Sequence, residues 1–156
     1  MTTPATPATP MDTVTLERRI KARPETVFAL FTDREKWLSW MGADGTFSFE
    51  PGGAYRIRVT GQDVASGRFL TIDPPERLVF TWGWDQGAVA AGSTRVEITL
   101  EPTAQGTLLH LIHSGLPTSE SCEAHAETWQ HYTDRLTLRA EGTTPAPDPW
   151  PHQPTP

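Results

Sequence analysis

Two histidines occupy positions where the surrounding pattern calls for apolar side chains. His113 continues the alternation of Leu109 and Leu111, and His125 shares a helical spacing with Trp129. An imidazole in a mainly apolar cavity can orient a ligand or transfer a proton. The alternative, which we prefer to a catalytic role, is a buried histidine hydrogen-bonded to a backbone carbonyl or a tyrosine. If the chain is an enzyme, these two histidines are its candidate catalytic residues.

Other catalytic or metal-binding patterns are missing from the sequence. His110 falls on the opposite strand face from His113, so a third metal ligand at suitable spacing is absent. Cys122 lies one turn before His125, but no base is fixed beside it. The sequence contains no P-loop, G-x-G-x-x-G, G-x-S-x-G or C-x-x-C motif. We therefore expect neither a metal nor a cofactor.

Large aromatic residues suggest a pocket for an apolar ligand, because such pockets are lined mainly by aromatic and aliphatic side chains. Ordinary core packing is the alternative, and it is our interpretation of Phe28 and Phe31. The predicted ligand-binding residues are Trp37, Trp40, Phe47, Phe49, Tyr55, Phe69, Trp82, Trp84, His113, His125, Trp129 and Tyr132.

Arg18 lies in an apolar register between Leu16 and Ile20, where an unpaired charge would be costly. It can pair with an acidic ligand, extend to solvent at the strand end, or pair with a carboxylate such as Glu97. We prefer a structural role.

Periodicity predicts the elements that position these residues. A strand over 14–21 precedes a helix that begins at Pro24 and a second short helix capped by Asp33. Six strands follow; in two of them Phe47 and Phe49 share one face, and so do Leu78, Phe80, Trp82 and Trp84. A long amphipathic helix spans about 118–141 and ends at Gly142. Successive strands joined by short turns predict an α+β fold, with an antiparallel sheet covered by that helix.

Composition sets further limits. Residues 1–12 and 143–156 are rich in proline, and we interpret them as disordered tails around one domain at 13–142; Met11 is an alternative start. The net charge of −6 argues against nucleic-acid binding. No apolar run is long enough to span a membrane, no secretory signal is visible, and the single cysteine suits a reducing compartment, so a cytoplasmic location is expected.

Four motifs in order resemble the START-like helix-grip superfamily, also called SRPBCC or Bet v-like. Within it, the chain resembles homologues of the C-terminal domain of the heat-shock protein 90 ATPase activator. The resemblance rests on residues 22–28 (ARPETVF), 73–82 (DPPERLVFTW) and 113–117 (HSGLP), and on His125, Trp129, Tyr132 and Leu136. One departure is Thr128, since relatives usually have glycine immediately before the helix tryptophan.

The resemblance implies a curved sheet of six or seven strands that grips the long helix, with a ligand cavity between them. A small hydrophobic molecule (a lipid, polyketide or aromatic metabolite) is the expected partner. Two alternatives stay open: a polyketide cyclase- or dehydratase-like enzyme using His113 or His125, and an interaction module for a chaperone ATPase. Exposed edge strands would also permit a homodimer.

Overall fold

The structure is a computed structural model that describes residues 13–60 and 63–145. Seven strands and three helices follow one another in the predicted order. They are β1 (Val14–Ile20), α1 (Pro24–Ala29), α2 (Arg34–Trp37), β2 (Asp44–Phe47), β3 (Ala54–Thr60), β4 (Asp63–Asp73), β5 (Arg77–Trp82), β6 (Thr94–Thr103), β7 (Gly106–Ser114) and α3 (Ser119–Ala140). The tails predicted to be disordered lie outside the described residues, apart from 143–145.

All strand pairings are antiparallel and give one sheet in the order β1-β7-β6-β5-β4-β3-β2. Side chains alternate between the two faces, as a period of two requires. In β3, Tyr55, Ile57 and Val59 are buried while Arg56 and Arg58 are exposed. The prediction of an α+β helix-grip fold, with a curved antiparallel sheet and two short helices after the first strand, is confirmed.

The helix ends follow the predicted capping pattern. Pro24 occupies the first turn of α1, and the Asp33 carboxylate accepts a hydrogen bond from the Lys36 N–H at the start of α2. Thr118 and Ser121 form a capping box at the start of α3. Gly142 ends α3 with a φ of +93°, a backbone conformation that glycine adopts without a Cβ clash.

Arginine side chains help to attach α3 to the rest of the fold. Arg18 on β1 donates from Nε to Thr133 Oγ1 at 3.0 Å and pairs with Asp134 at 2.9 Å. Arg135 donates from Nε to the Trp40 carbonyl at 3.0 Å. Arg18 therefore has a structural role, but its partner is Asp134 rather than the suggested Glu97, which pairs with Arg77.

Two aromatic residues lie outside the strands to which the sequence assigned them. β2 ends at Phe47, so Phe49 belongs to the following turn, although the two rings still stack 5.0 Å apart. β5 ends at Trp82, and Trp84 forms only isolated bridges with Ala65 and Ala90. The interruption is Gly83, where a Cβ would lie 1.7 Å from the Ala90 carbonyl oxygen. A close backbone approach therefore replaces the regular ladder at this point.

The inner face of the sheet and the facing side of α3 form a single apolar core. Within the described residues, no helix is both long and apolar enough to cross a membrane. The buried polar side chains of this core are Thr94, Thr107, His113, Ser121, His125, Thr128 and Thr133, none of which carries a permanent charge.

Candidate functional site: an aromatic interior with a histidine pair

Aromatic rings form a continuous cluster between the sheet and the helices. Trp82 is near its centre, with its ring centroid 5.0 Å from that of Trp129 on α3 and 5.4 Å from that of Trp84. At the other end, Trp37 packs against Trp40 at 5.5 Å and Phe47 at 5.2 Å. The sheet and α3 are therefore in direct contact at Trp82 and Trp129.

The structure brings the predicted ligand-binding residues together. Ten of them are buried hydrophobic side chains or neighbours packed against the same core, and the two histidines join through ring contacts. Tyr132 is fully buried on α3 and its ring meets His131 at 4.7 Å. The ring contacts join Trp37, Trp40, Phe47, Phe49, Tyr55, Phe69, Trp82, Trp84, His113, His125 and Trp129, together with Phe31 and Phe80. Whether they contact a ligand stays a prediction.

His113 on β7 is held by hydrogen bonds at both ring nitrogens. The Trp129 indole N–H donates to Nδ1 at 2.9 Å, and Nε2 lies 2.7 Å from Thr94 Oγ1. The Thr94 hydroxyl donates its proton to the Trp82 carbonyl, so its oxygen must accept from His113. His113 is therefore the neutral tautomer with its proton on Nε2, because an indole nitrogen can only donate.

His125 on α3 has the opposite tautomer. The Trp84 indole N–H donates to Nε2 at 3.0 Å, so the imidazole proton is on Nδ1. Nδ1 lies 2.8 Å from the Ser121 carbonyl oxygen and donates to it. The lone pair of each imidazole thus accepts an indole N–H, from Trp129 in the case of His113 and from Trp84 in the case of His125.

These contacts determine what the pair can do chemically. A general base needs a lone pair within hydrogen-bond reach of the substrate proton, and here both lone pairs accept indole N–H groups. Burial lowers the pKa of His113 well below its usual value, and the neighbouring His125 lowers it further. In this arrangement the two histidines act as neutral links between sheet and helix.

Tyr55 extends the same hydrogen-bonded interior. Its hydroxyl donates to the Thr81 carbonyl, and burial raises the pKa of its phenol well above the usual value. The group is therefore an uncharged donor, already engaged with the backbone.

Two indole N–H groups in the cluster lack an acceptor. Trp37 and Trp82 are fully buried, and within the described residues neither Nε1 has a hydrogen-bond partner. An unpaired buried donor costs about 1–3 kcal/mol, so native interiors seldom leave one unsatisfied.

A surface groove reaches the cluster at Phe49. It has a volume of about 440 Å³ and is lined mostly by apolar side chains of α1 and of the end of β4, including Phe28, Ala29 and Ile72. Two larger grooves, of about 590 and 630 Å³, lie beside Lys21 and Arg23 and on the outer sheet face beside Arg56 and Arg68. Phe49 connects this groove to the aromatic interior, because its ring lines the groove and packs against Phe69 at 5.4 Å.

Comparison with known proteins agrees with this geometry. A family model described as Activator of Hsp90 ATPase homolog 1-like protein matches residues 21–141. The chain belongs to this family. The resemblance drawn from the four sequence motifs is thereby confirmed. No curated protein matches the chain significantly.

Solved structures of AHSA1-like proteins and of proteins with this fold are similar to the chain. An AHSA1-like protein of Rhizobium etli is 46% identical, with 90% of this chain and 89% of that chain covered and a TM-score of 0.72. A protein of Chromobacterium violaceum is 26% identical, with 88% and 99% covered and a TM-score of 0.70. CalU16 of Micromonospora echinospora has the same fold, at 22% identity, with 83% and 76% covered and a TM-score of 0.69.

Thr128 stands in this AHSA1-like chain where the resemblance leads us to expect glycine, and the structure shows how its side chain is accommodated. The side chain is largely buried, and its hydroxyl donates to the Ala124 carbonyl one turn earlier at 2.9 Å. The added polar group is thus satisfied within α3.

Sequence reasoning did not identify the partners of the histidines. Thr94 and Ser121 supply the remaining hydrogen bonds of the pair, and both are buried. The sequence does indicate that Thr94 is buried, because it continues the alternation of the buried residues Val96, Ile98 and Leu100 on β6. On α3, Ser121 is buried and Cys122 only half-buried, so Ser121 lies closer to the centre of the buried face than Cys122 does. Among the described residues, no group of His, Cys, Asp and Glu is arranged to hold a metal ion.

Proposed function

We propose that this AHSA1-like chain binds a small hydrophobic molecule at the groove beside Phe49 and in the adjoining aromatic interior. The observation that carries the proposal is the continuity between the two: Phe49 lines the groove and stacks on Phe47, which packs against the buried Trp37. Apolar ligand surface buried there contributes ~25 cal/mol per Å² before the cost of immobilisation is subtracted.

The half-buried state of Phe47 and Phe49 supports access from this side. Both rings are partly exposed, whereas Trp37, Phe69 and Trp82 behind them are fully buried. Phe49 also lies outside the regular strands, in the connection between β2 and β3, and such connections are generally more mobile than the strands they join. A molecule seated in the groove would replace solvent against Phe49 first.

The hydrogen bonds of the histidine pair favour binding over catalysis. A cyclase or dehydratase would use an imidazole lone pair, and those of His113 and His125 accept bonds from Trp129 and Trp84. We accordingly assign the pair to the stability of the interior.

A thermal-shift screen of the full chain against fatty acids, sterols, aromatic polyketides and flavonoids tests the proposal. A ligand present at 100 times its Kd stabilises the native state by ~2.7 kcal/mol, which raises Tm by several degrees. Absence of a shift from every class would contradict the proposed function.

A matched pair of variants on α1 tests the location. Ala29 lines the groove, while Thr26 lies on the same helix, is exposed and is not part of the lining. Ala29→Phe fills the groove and should weaken binding at least about tenfold, since the ligand loses most of its contact area. Thr26→Phe should bind as the unaltered chain does. Equal affinity in both variants would place the ligand elsewhere.

A further inference from the structure

The aromatic interior satisfies some of its indole N–H groups and leaves others unpaired. Trp40 donates to the Leu30 carbonyl, Trp84 to His125 and Trp129 to His113. Trp37 and Trp82, which are at least as deeply buried, have no acceptor among the described residues. The protein thus supplies acceptors for three of the indole groups in this cluster but not for these two.

The two unpaired donors border a common region. Trp37 and Trp82 do not stack on one another, but both pack against Tyr55 and Phe80. Their ring centroids lie 6.3 and 6.5 Å, respectively, from that of Tyr55. Trp37 also packs against Phe47, the ring that stacks on Phe49 at the groove. Ring contacts therefore connect the groove to Trp37 through Phe49 and Phe47, and Tyr55 connects Trp37 to Trp82.

Indole chemistry limits what can pair with these donors. An indole N–H has no acceptor capacity, so its partner must carry a lone pair, such as that of a carbonyl or ether oxygen. Burying an apolar surface beside an unpaired donor leaves the donor unsatisfied, whereas a correctly placed oxygen removes that penalty. A bound molecule that accepts hydrogen bonds would therefore be favoured over one that does not.

Charge limits the partner further. The buried side chains of the described residues include no Asp, Glu, Lys or Arg. The two buried imidazoles are neutral because both tautomers are set by tryptophan donors. A carboxylate or an ammonium group taken into this interior would lose its hydration without meeting an opposite charge.

From these observations we propose that the ligand is an uncharged, largely apolar ring compound with acceptor oxygens, which bind the indole N–H groups of Trp82 and Trp37. This inference rests on the proposed function, since it names the ligand class of the same site. It separates neutral ketones, lactones and ethers from hydrocarbons and from fatty-acid carboxylates of similar size.

Two three-ring probes of similar size test the inference. Xanthone has a carbonyl oxygen and a ring oxygen at opposite edges, and dihydroanthracene has neither. Calorimetric titration of the full chain should give an affinity about tenfold higher for xanthone, the gain expected when buried donors acquire acceptors. Equal affinities would leave the proposed function in place and overturn this inference. Binding of neither probe would contradict both.

Variants with phenylalanine separate the hydrogen bond from the aromatic surface. Trp37→Phe and Trp82→Phe remove an unpaired donor each and should lower the preference for xanthone at least about threefold. Trp40→Phe is the matched control, because Trp40 is buried in the same cluster but donates to the Leu30 carbonyl. It should keep the preference. An unchanged preference in both test variants would overturn the inference.

A measurement on the unaltered chain makes the test independent of variant folding. In a ¹⁵N-labelled sample, the indole N–H resonances of Trp37 and Trp82 should shift downfield with xanthone and much less with dihydroanthracene. The resonances of Trp40, Trp84 and Trp129 are internal references, since their acceptors are already in place. Similar shifts of all indole signals with both probes would show a general packing change and contradict the assignment of the donors.

Discussion

The imidazole rings of His113 and His125 meet edge to face, with centroids 5.0 Å apart, although one lies on β7 and the other on α3. Each ring accepts an indole N–H and donates its own proton, so four hydrogen bonds hold the pair. Protonation of His113 would place a second N–H against the Trp129 donor. The pair therefore couples the packing of sheet and helix to proton concentration.

The first prediction concerns pH. The lowered pKa of His113 means that the unfolded chain binds a proton below pH ~6.5 while the native state does not. The contribution of neutral His113 to the free energy of unfolding is thus fully present above pH ~6.5. It should fall by up to about 1.4 kcal/mol per pH unit as the pH drops from there toward the folded-state pKa. Urea unfolding at several pH values measures the slope.

The exposed side of β7 supplies the control for that measurement. His110 lies on the outer sheet face between Glu17 and Glu101, and His110→Gln should keep the slope. Equal free energies of unfolding at pH ~5.5 and ~7.5 would contradict a buried neutral His113.

The second prediction concerns Thr94, which joins His113 to the Trp82 carbonyl. Thr94→Val keeps the shape but leaves the imidazole N–H without its acceptor and removes the hydroxyl bond to the carbonyl, and should destabilise the fold by about 1–3 kcal/mol. Thr94→Ser retains the hydroxyl and should cost under about 1 kcal/mol. Chemical denaturation of both variants compares them. Similar losses would show that the methyl group, not the hydrogen bonds, sets the stability there.

The third prediction concerns Gly83, which turns the chain between Trp82 and Trp84. Any Cβ at this position overlaps the Ala90 backbone, so Gly83→Ala should cost at least about 2 kcal/mol and displace Trp84 from His125. Gly52 is the comparison: its φ is +83°, but a Cβ would meet no atom within 4 Å. Gly52→Ala should cost only the conformational penalty, about 1–2 kcal/mol. Thermal unfolding ranks the two, and the opposite ranking would contradict the overlap.

The fourth prediction concerns the link between β1 and α3. Asp134 is 67% exposed, so its ion pair with Arg18 is screened by water, and Asp134→Asn should change stability by less than about 0.5 kcal/mol. Arg18→Met also loses the bonds to Thr133 and the Gln130 carbonyl, and should cost about 1–2 kcal/mol. Arg18→Met should leave ligand affinity unchanged, and a large loss of affinity would return Arg18 to the ligand site.

The sequence predicted the fold well because its main signals are local. The alternation in β3 and the capping residues Asp33 and Thr118 each depend on neighbours a few positions away. The aromatic content of the interior followed from the same periodicity. Trp84 and Phe49 were misassigned to strands because the close approach at Gly83 and the end of β2 depend on other segments of the chain.

Hydrogen-bond partners in the site were beyond such local signals. The bonds between Trp129 and His113 and between Trp84 and His125 join residues that are distant in the sequence. The direction in which each indole N–H points is set only when the sheet and the helix pack together. The unpaired N–H groups of Trp37 and Trp82 depend equally on what the finished core fails to provide. Residue types predicted an aromatic interior, and three-dimensional packing decided which of its polar atoms are satisfied.

The sheet order has a consequence for how the chain is made. Among the described strands β1 pairs only with β7, with Val14 opposite His113, so a strand that is synthesised early must wait for one that is synthesised much later. Pairing over such a sequence distance is slow, because the long intervening loop must close before any contact forms. On the ribosome, β3 to β6 can form hairpins as they emerge, while β1 and the His113 network assemble only after most of the domain has been released.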